Sequence, residues 1–202
     1  MTTTQAMIRV FIAVELPPDV QDALKETQER ISRQMGQQAG ALRWTRPEGL
    51  HLTLQFLGNV SLRFVALVKG ALDKACVGAA PFTLSTGEPG VFPNERRPRV
   101  LWLGVHGDVD ALRSLASSVH RQMQTLGYQP DHSFSPHLTL ARVKGHAGED
   151  VRQALANALA GIKAEPVTQV SFPVTAVSLM QSELRPGGSI YTRLRSIELD
   201  AG

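Results

Sequence analysis

His51-Leu-Thr-Leu54 returns, letter for letter, as His137-Leu-Thr-Leu140. With 6 histidines and 13 threonines among 202 residues, about 0.4 His-x-Thr triplets are expected by chance; two occur, in one shared apolar setting. Successive side chains of a strand point to opposite faces, so His51 and Thr53 share one face and Leu52 and Leu54 the other. Each copy thus offers an imidazole and a hydroxyl on a strand anchored by leucines. One copy alone would read as a surface histidine on an edge strand. The repetition turns the reading towards a site built twice.

Outward from the motifs, the flanking sequence repeats in kind. Before the first copy, residues 9–16 read as a buried strand. Pro17-Pro18-Asp19 opens a helix whose apolar positions Val20, Leu24, Thr27, Ile31 and Met35 recur at helical spacing, and Gly36 marks its end. The motif strand spans 50–57 and is broken by Gly58-Asn59. Ser61 caps a helix over 62–77, a short strand follows at 82–85, and 87–98 reads as a Gly/Pro-rich loop. The order then restarts with a strand at 100–105, a helix over 109–126 and the second motif strand over 134–143. A helix over 149–159 stopped by Gly161 and a strand at 167–172 complete the series. Strands at 174–181 and 190–199, joined by a loop holding Pro186-Gly187-Gly188, close the chain, and residues 1–6 read as a disordered start.

The expected fold is therefore α+β, a single bilobal unit over 1–202. Its β-α-β-α-β halves (8–86 and 99–173, with final strands 174–199) are related by pseudo-twofold symmetry across a central cleft. His51 and His137, 86 residues apart, would face each other across it.

Composition sets the outer bounds. Hydrophobic residues at 43% and charged residues at 19% describe an ordinary globular chain with a sizeable core. Apolar runs are too short to cross a bilayer, and the N-terminus lacks the pattern of a secretory signal. A lone Cys76 cannot form an internal disulfide, which suits a cytoplasmic setting, and its helical pattern reads as packing. The net charge is +3, yet arginines cluster at Arg43 and Arg46, at Arg96, Arg97 and Arg99, and at Arg185, Arg193 and Arg195. Guanidinium forks suit phosphate oxygens, so a polyanionic partner is permitted though not required.

Two opposed imidazoles suit in-line displacement at a phosphodiester. A base is needed on the attacking oxygen and an acid on the leaving oxygen, on opposite sides of phosphorus. Histidine supplies either near neutral pH, and the hydroxyls of Thr53 and Thr139 could donate to non-bridging oxygens. No metal or cofactor is then needed. A metal site is the competing reading, with His132 as a third ligand, but neither motif has a second ligand at metal spacing. A nucleophile elbow and a phosphate-binding P-loop are both absent from the sequence.

The paired motifs, the opening Arg9-Val-Phe-Ile-Ala-Val-Glu-Leu-Pro17, the Phe56-Leu-Gly58 after the first motif and the Phe134-Ser-Pro-His-Leu-Thr-Leu-Ala-Arg142 around the second resemble the 2H phosphoesterase superfamily. Within it the chain is most similar to the RNA 2′,3′-cyclic phosphodiesterases, also called 2′-5′ RNA ligase-like proteins. The resemblance covers nearly the whole chain. It implies hydrolysis of a terminal RNA 2′,3′-cyclic phosphate to a 2′-phosphate, with His51 as proton donor, His137 as proton acceptor and Thr53 and Thr139 on the phosphate. Ligation of tRNA half-molecules through a 2′-5′ bond is implied for some members.

Arg142, Arg99 and Phe92 are further candidates for phosphate or base contacts, although simple alternation puts Arg142 on the face opposite Thr139. Phe11 and Phe56 are expected in the core, Tyr191 suits packing or ligand contact equally, and His106, His120 and His146 are expected at the surface. The partner expected is RNA with a cyclic phosphate end, with no membrane and no obligate protein partner. Two alternatives stand beside this reading: a phosphodiesterase for a small cyclic phosphate such as ADP-ribose 1″,2″-cyclic phosphate, and a non-catalytic RNA-binding module.

Overall fold

The computed structural model describes residues 6–130, 133–185 and 188–200; the expected disordered start (save residue 6), His132, and Pro186 and Gly187 of the expected loop lie outside them. The element order is β1 (Met7–Glu15), α1 (Pro18–Met35), β2 (Leu42–Trp44), β3 (His51–Ser61), α2 (Leu62–Cys76) and β4 (Phe82–Phe92). It continues with β5 (Val100–Gly107), α3 (Val109–Gln124), β6 (Leu138–Val143), α4 (Glu149–Ala164), β7 (Ser171–Val174), β8 (Ala176–Arg185) and β9 (Gly188–Glu198). The duplicated order is present, with β2 an additional short strand in the first half.

Several element ends differ from the sequence reading, each for a local reason. Gly58 does not break the first motif strand. Its φ of 71° lets the backbone make a bulge opposite Val10/Phe11, and β3 runs on to Ser61. The expected loop after Ser85 is the continuation of β4, which pairs with β5 as far as Phe92↔Val100 through an irregularity between Thr86 and Pro89. Gly161 does not stop α4, which extends to Ala164 with Ile162 buried. In the other direction, β6 begins only at Leu138, so His137 is the residue leading into the strand. The strand expected at 167–172 lies at Ser171–Val174.

Among the described residues the strands form a nine-stranded sheet ordered β7-β4-β5-β6-β3-β1-β8-β9, with β2 pairing β6. Every pairing is antiparallel. One face carries the helices, whose buried stripes join the strands' inward leucines and valines in one large cluster. The two sequence repeats interleave rather than standing apart. The third strand of the first repeat, β4, lies between β5 and β7 of the second. Likewise α1 packs on α4 and α2 on α3, so each helix pair takes one member from each repeat. The opposite, concave face carries a second small cluster of Phe11, Ala13 and Met180 under Tyr191. This face holds the repeated histidines.

Candidate active site

The two halves of the sheet meet at one ladder position, Leu52↔Leu138. Both leucines are fully buried on the helical side, so the residues flanking them, His51 and Thr53 on one strand and His137 and Thr139 on the other, turn to the concave face. One step along an antiparallel ladder from this pair sets His51 level with Thr139 and Thr53 level with His137. The local twofold axis therefore passes through the motif itself.

Both imidazoles are held alike. His51 Nδ1 lies 2.8 Å from the carbonyl oxygen of Gly49, and His137 Nδ1 lies 2.7 Å from that of Ser135. A carbonyl only accepts, so in each ring Nδ1 carries the hydrogen and Nε2 is left as the atom that gains or loses a proton. His51 also packs against Phe11, with ring centroids 4.7 Å apart, and meets Tyr191 edge-on at 5.2 Å. His137 meets Phe92 edge-on at 5.0 Å, and Phe92 stacks on Trp102 at 4.9 Å. Gly90 makes room for that stack: a Cβ there would stand 2.4 Å from the Trp102 ring.

A second symmetric feature lies one residue past each threonine. The ladder passes from Ala13↔Thr53 to Ile12↔Gln55, omitting Leu54, and from Trp102↔Thr139 to Leu101↔Ala141, omitting Leu140. Each motif thus ends in a β-bulge whose extra residue is its last leucine. A bulge shifts the alternation by one position, which puts Arg142 on the same face as Thr139 despite the odd spacing. Arg142 is exposed there, and so, at the equivalent position of the first motif, is Phe56 at 44%; the core position expected for Phe56 is thereby corrected. Phe11, at 1%, is buried as expected.

The bulge carbonyls are satisfied across the repeats. Gln28 Nε2 of α1 donates to Leu140 O at 2.8 Å and to Thr45 O at 2.8 Å. His120 Nε2 of α3 lies 3.0 Å from Leu54 O. His120 is therefore not a plain surface residue: it is half-buried, meets Phe134 edge-on and lines the cleft. Nothing in its sequence neighbourhood reveals this, because its partner lies 66 residues away. His106 does remain exposed, paired with Glu88 at 2.8 Å, and His146 is exposed.

A cleft of about 660 Å³ is lined by Thr53, Phe56, Phe92, Arg99, His137 and Arg142, among others. The structure thus brings together five of the seven residues singled out from sequence. Thr139 and His51 are not part of that lining, but each is carried beside it on the motif strands. Arg43 of β2 is the ladder neighbour of Arg142 and adds a second guanidinium near it. Arg193 and Arg195 instead form ion pairs with Glu15 and Asp73, and Arg185 pairs with Glu183.

The charges around the two rings are unequal. Burial pushes His51 below the usual histidine value; the Gly49 hydrogen bond and the nearby Glu15 oppose this, while Arg142 and His137 add to it. His137 is likewise pushed down by burial, opposed by its bond to Ser135 and reinforced by Arg142. Glu15 lies directly across the β1–β3 ladder from His51. Burial would raise its pKa, but hydrogen bonds from Arg193 and Ser178, with the charges of Arg193 and His51, hold it below the usual carboxylate value. Cys76 is buried, its thiol raised to about 11 by burial and then by Asp73, in keeping with packing. Among the described residues no group of three or more His, Cys, Asp and Glu is arranged to hold a metal ion, and no helix is long and apolar enough to cross a membrane.

Comparison with known proteins places this geometry. The family described as LigT like Phosphoesterase matches twice, over residues 14–102 and 103–191, in keeping with the duplication. A protein of Methanothermobacter thermautotrophicus named RNA 2′,3′-cyclic phosphodiesterase is 32% identical over 95% of this chain and 99% of its own. A relative of the same name from Archaeoglobus fulgidus is 35% identical over 95% of this chain and 100% of its own. Among solved structures, a Thermus thermophilus protein superposes with a TM-score of 0.71 at 30% identity, covering 95% of this chain and 98% of that one. Escherichia coli LigT complexed with 3′-AMP gives 0.71 at 25% identity, covering 96% and 99%. With both halves of the chain matched, each carrying one His-x-Thr motif, this protein belongs to the LigT-like phosphoesterase family.

Proposed function

We propose that this protein hydrolyses the 2′,3′-cyclic phosphate at the end of an RNA chain to a 2′-phosphate and a free 3′-hydroxyl, by acid–base catalysis between His51 and His137. The observation that carries this reading is the pair of imidazoles, each fixed through Nδ1 to a carbonyl and each leaving Nε2 for proton transfer, on either side of one ladder position. His137 Nε2 takes a proton from water as the water oxygen attacks phosphorus. The bond from phosphorus to the 3′-oxygen breaks, and that oxygen takes a proton from His51 Nε2. The histidines finish in exchanged protonation states and are reset by solvent.

Thr53 and Thr139, with Arg142, are assigned to the non-bridging oxygens, where charge builds in the transition state. Phe56 and Phe92 offer aromatic faces for the terminal base. Arg99 and Arg43 extend the positive wall towards the preceding phosphates. A LigT neighbour complexed with 3′-AMP supports an occupant of nucleotide size. Ligation is the same displacement with a ribose 5′-hydroxyl in place of water, and tRNA halves are among the RNAs that could take part. The lone Cys76 supports a reducing cytoplasmic setting.

The test is turnover of an RNA oligomer ending in a 2′,3′-cyclic phosphate, with the product isomer identified and ADP-ribose 1″,2″-cyclic phosphate as comparator. A 2′-phosphate product, formed at an undiminished rate under exhaustive chelation, is expected. Preference for the small cyclic phosphate would move the assignment to that substrate. Tight RNA binding without turnover would leave only a binding module, and activity lost to chelation and restored by zinc would bring back the metal reading with His132 as ligand.

A further inference from the structure

The site is nearly twofold symmetric, so something other than the motifs must decide which imidazole gives up a proton and which accepts one. We propose that Glu15 is the positioning residue that makes His51 the proton donor, and that the want of any side chain at Gly104, its counterpart in the second repeat, leaves His137 free to act as the base. This rests on the hydrolytic reading above and deepens it.

The two ladders can be superposed position by position. In the first repeat Phe11, Ile12, Ala13 and Val14 pair with Phe56, Gln55, Thr53 and Leu52, and Glu15 pairs with His51. In the second, Val100, Leu101, Trp102 and Leu103 pair with Arg142, Ala141, Thr139 and Leu138. That ladder ends at Leu103↔Leu138, and continuing it one step, to the residue that leads into β6, sets Gly104 level with His137. Directly opposed residues share a face with Cβ atoms about 4.5–5.5 Å apart, so a carboxylate accompanies one imidazole and a bare backbone the other.

Glu15 is also held in place. Its Oε1 accepts from Ser178 Oγ at 2.5 Å and from Arg193 Nε at 2.7 Å, and its Oε2 accepts from Arg193 Nη2 at 2.9 Å. Three donors keep it ionised and anchored to β8 and β9. The asymmetry is doubled at the far end of the motif, where Arg142 stands in place of Phe56. The charged and titratable groups facing His51 are then Glu15 from β1, Tyr191 from β9, and Arg142 and His137 from the second motif. Of these Glu15 is the anion, and an anion favours the imidazolium. Arg142 favours the neutral form of both rings, but only His51 has an opposed anion, so His137 is left without that support for its charged form and suits the base.

The experiment compares wild type with Glu15→Gln, which keeps the shape and one accepting oxygen but not the charge, and with Glu15→Asp, which keeps the charge. Imidazole NMR titration without substrate should show the His51 midpoint falling by about 0.5–1 pH unit in Glu15→Gln, with His137 unmoved and Glu15→Asp close to wild type. This readout is independent of turnover, so it separates failure of the Glu15 coupling from failure of the hydrolytic reading. In turnover, Glu15→Gln should lose roughly tenfold on the normal cyclic phosphate. It should lose little on an analogue whose 3′-oxygen is a bridging sulfur, because a thiolate leaves without a proton. Conversely Gly104→Glu, whose Cβ would meet only ordinary contacts beyond 3.5 Å, should raise the His137 midpoint and move the acid limb of the rate profile upward. An unmoved His51 midpoint, an equal loss on the oxygen and sulfur substrates, or a Glu15→Gln effect seen on His137 instead would overturn the proposal.

Discussion

At the scale of single residues, both imidazoles sit in surroundings that disfavour their charged forms, burial first and Arg142 among the further causes. The bell in kcat/KM, which reports the free enzyme, should therefore lie on the acid side of that expected for two exposed histidines. The limbs belong to the coupled pair rather than to either ring. His51→Ala and His137→Ala should each lower the rate by roughly 10²–10⁴-fold with circular dichroism unchanged; near-normal turnover in either folded variant would end the two-histidine reading. Arg142→Gln removes a cation that lowers both values, so both limbs should move to higher pH. It should also remove the charge-assisted bond to phosphate proposed for Arg142, with a loss of about 10–100-fold in kcat/KM at all pH values. A pH–rate profile of this one variant checks both effects. Thr53→Val and Thr139→Val should cost less, because a neutral hydrogen bond is worth about 0.5–1.5 kcal/mol net; wild-type kinetics in both would remove the threonines from the phosphate.

At the scale of the element, the twin bulges decide which side chains reach the cleft. Their carbonyls are bonded by Gln28 and His120, which sit in corresponding helices and each reach the motif strand of the other repeat. Gln28→Leu should remove one donor each from Leu140 O, which keeps Thr45 N–H at 2.8 Å, and from the half-buried Thr45 O, at a cost of about 0.5–1.5 kcal/mol for each lost bond in urea unfolding. It should also lower kcat/KM by loosening the strand that holds Thr139 and Arg142. A variant as stable and as active as wild type would show that the bulge needs no such support. On β4, Gly90→Ala drives a methyl into Trp102. The Phe92–Trp102 stack beside His137 should shift, changing tryptophan fluorescence and costing about 1–3 kcal/mol.

At the scale of the whole molecule, the histidines link folding to pH. Their folded-state values lie below the 6.5 of a free side chain, so the unfolded chain binds more protons as pH drops through 6.5. This contribution to stability is fully present above that pH and declines below it, down to the folded-state values. Denaturant titrations from pH 7.5 downward should show the decline, and a folded His51→Gln/His137→Gln variant should show a shallower one. The arginines on the concave side extend the proposed phosphate contacts to longer range. Raising salt from about 50 to 200 mM should raise KM for an RNA oligomer by considerably more than for a cyclic mononucleotide, with kcat little changed, because only the oligomer presents further phosphates to release counterions. Equal salt dependence would confine recognition to the terminal nucleotide.

The sequence by itself determined the periodic and the repeated: helices α1 to α3 almost to the residue, the duplication, and the pairing of His51 with His137, since strand alternation and helical spacing are local properties written in successive side chains. The face taken by Arg142 is not legible in sequence, because a bulge depends on how the neighbouring strand registers, which no local pattern encodes. The extension of β4 to Phe92 has the same cause, as ladder pairing with β5 outweighs the local turn signals of Gly87 and Pro89. Interleaving of the repeats, with β4 set among strands of the second half, likewise follows from which edges and helix faces bury the most apolar surface together. Only the tertiary structure sets Glu15 opposite His51 and, one step past the last β5–β6 pair, Gly104 level with His137, because each register follows from an adjacent buried pair, Val14↔Leu52 and Leu103↔Leu138.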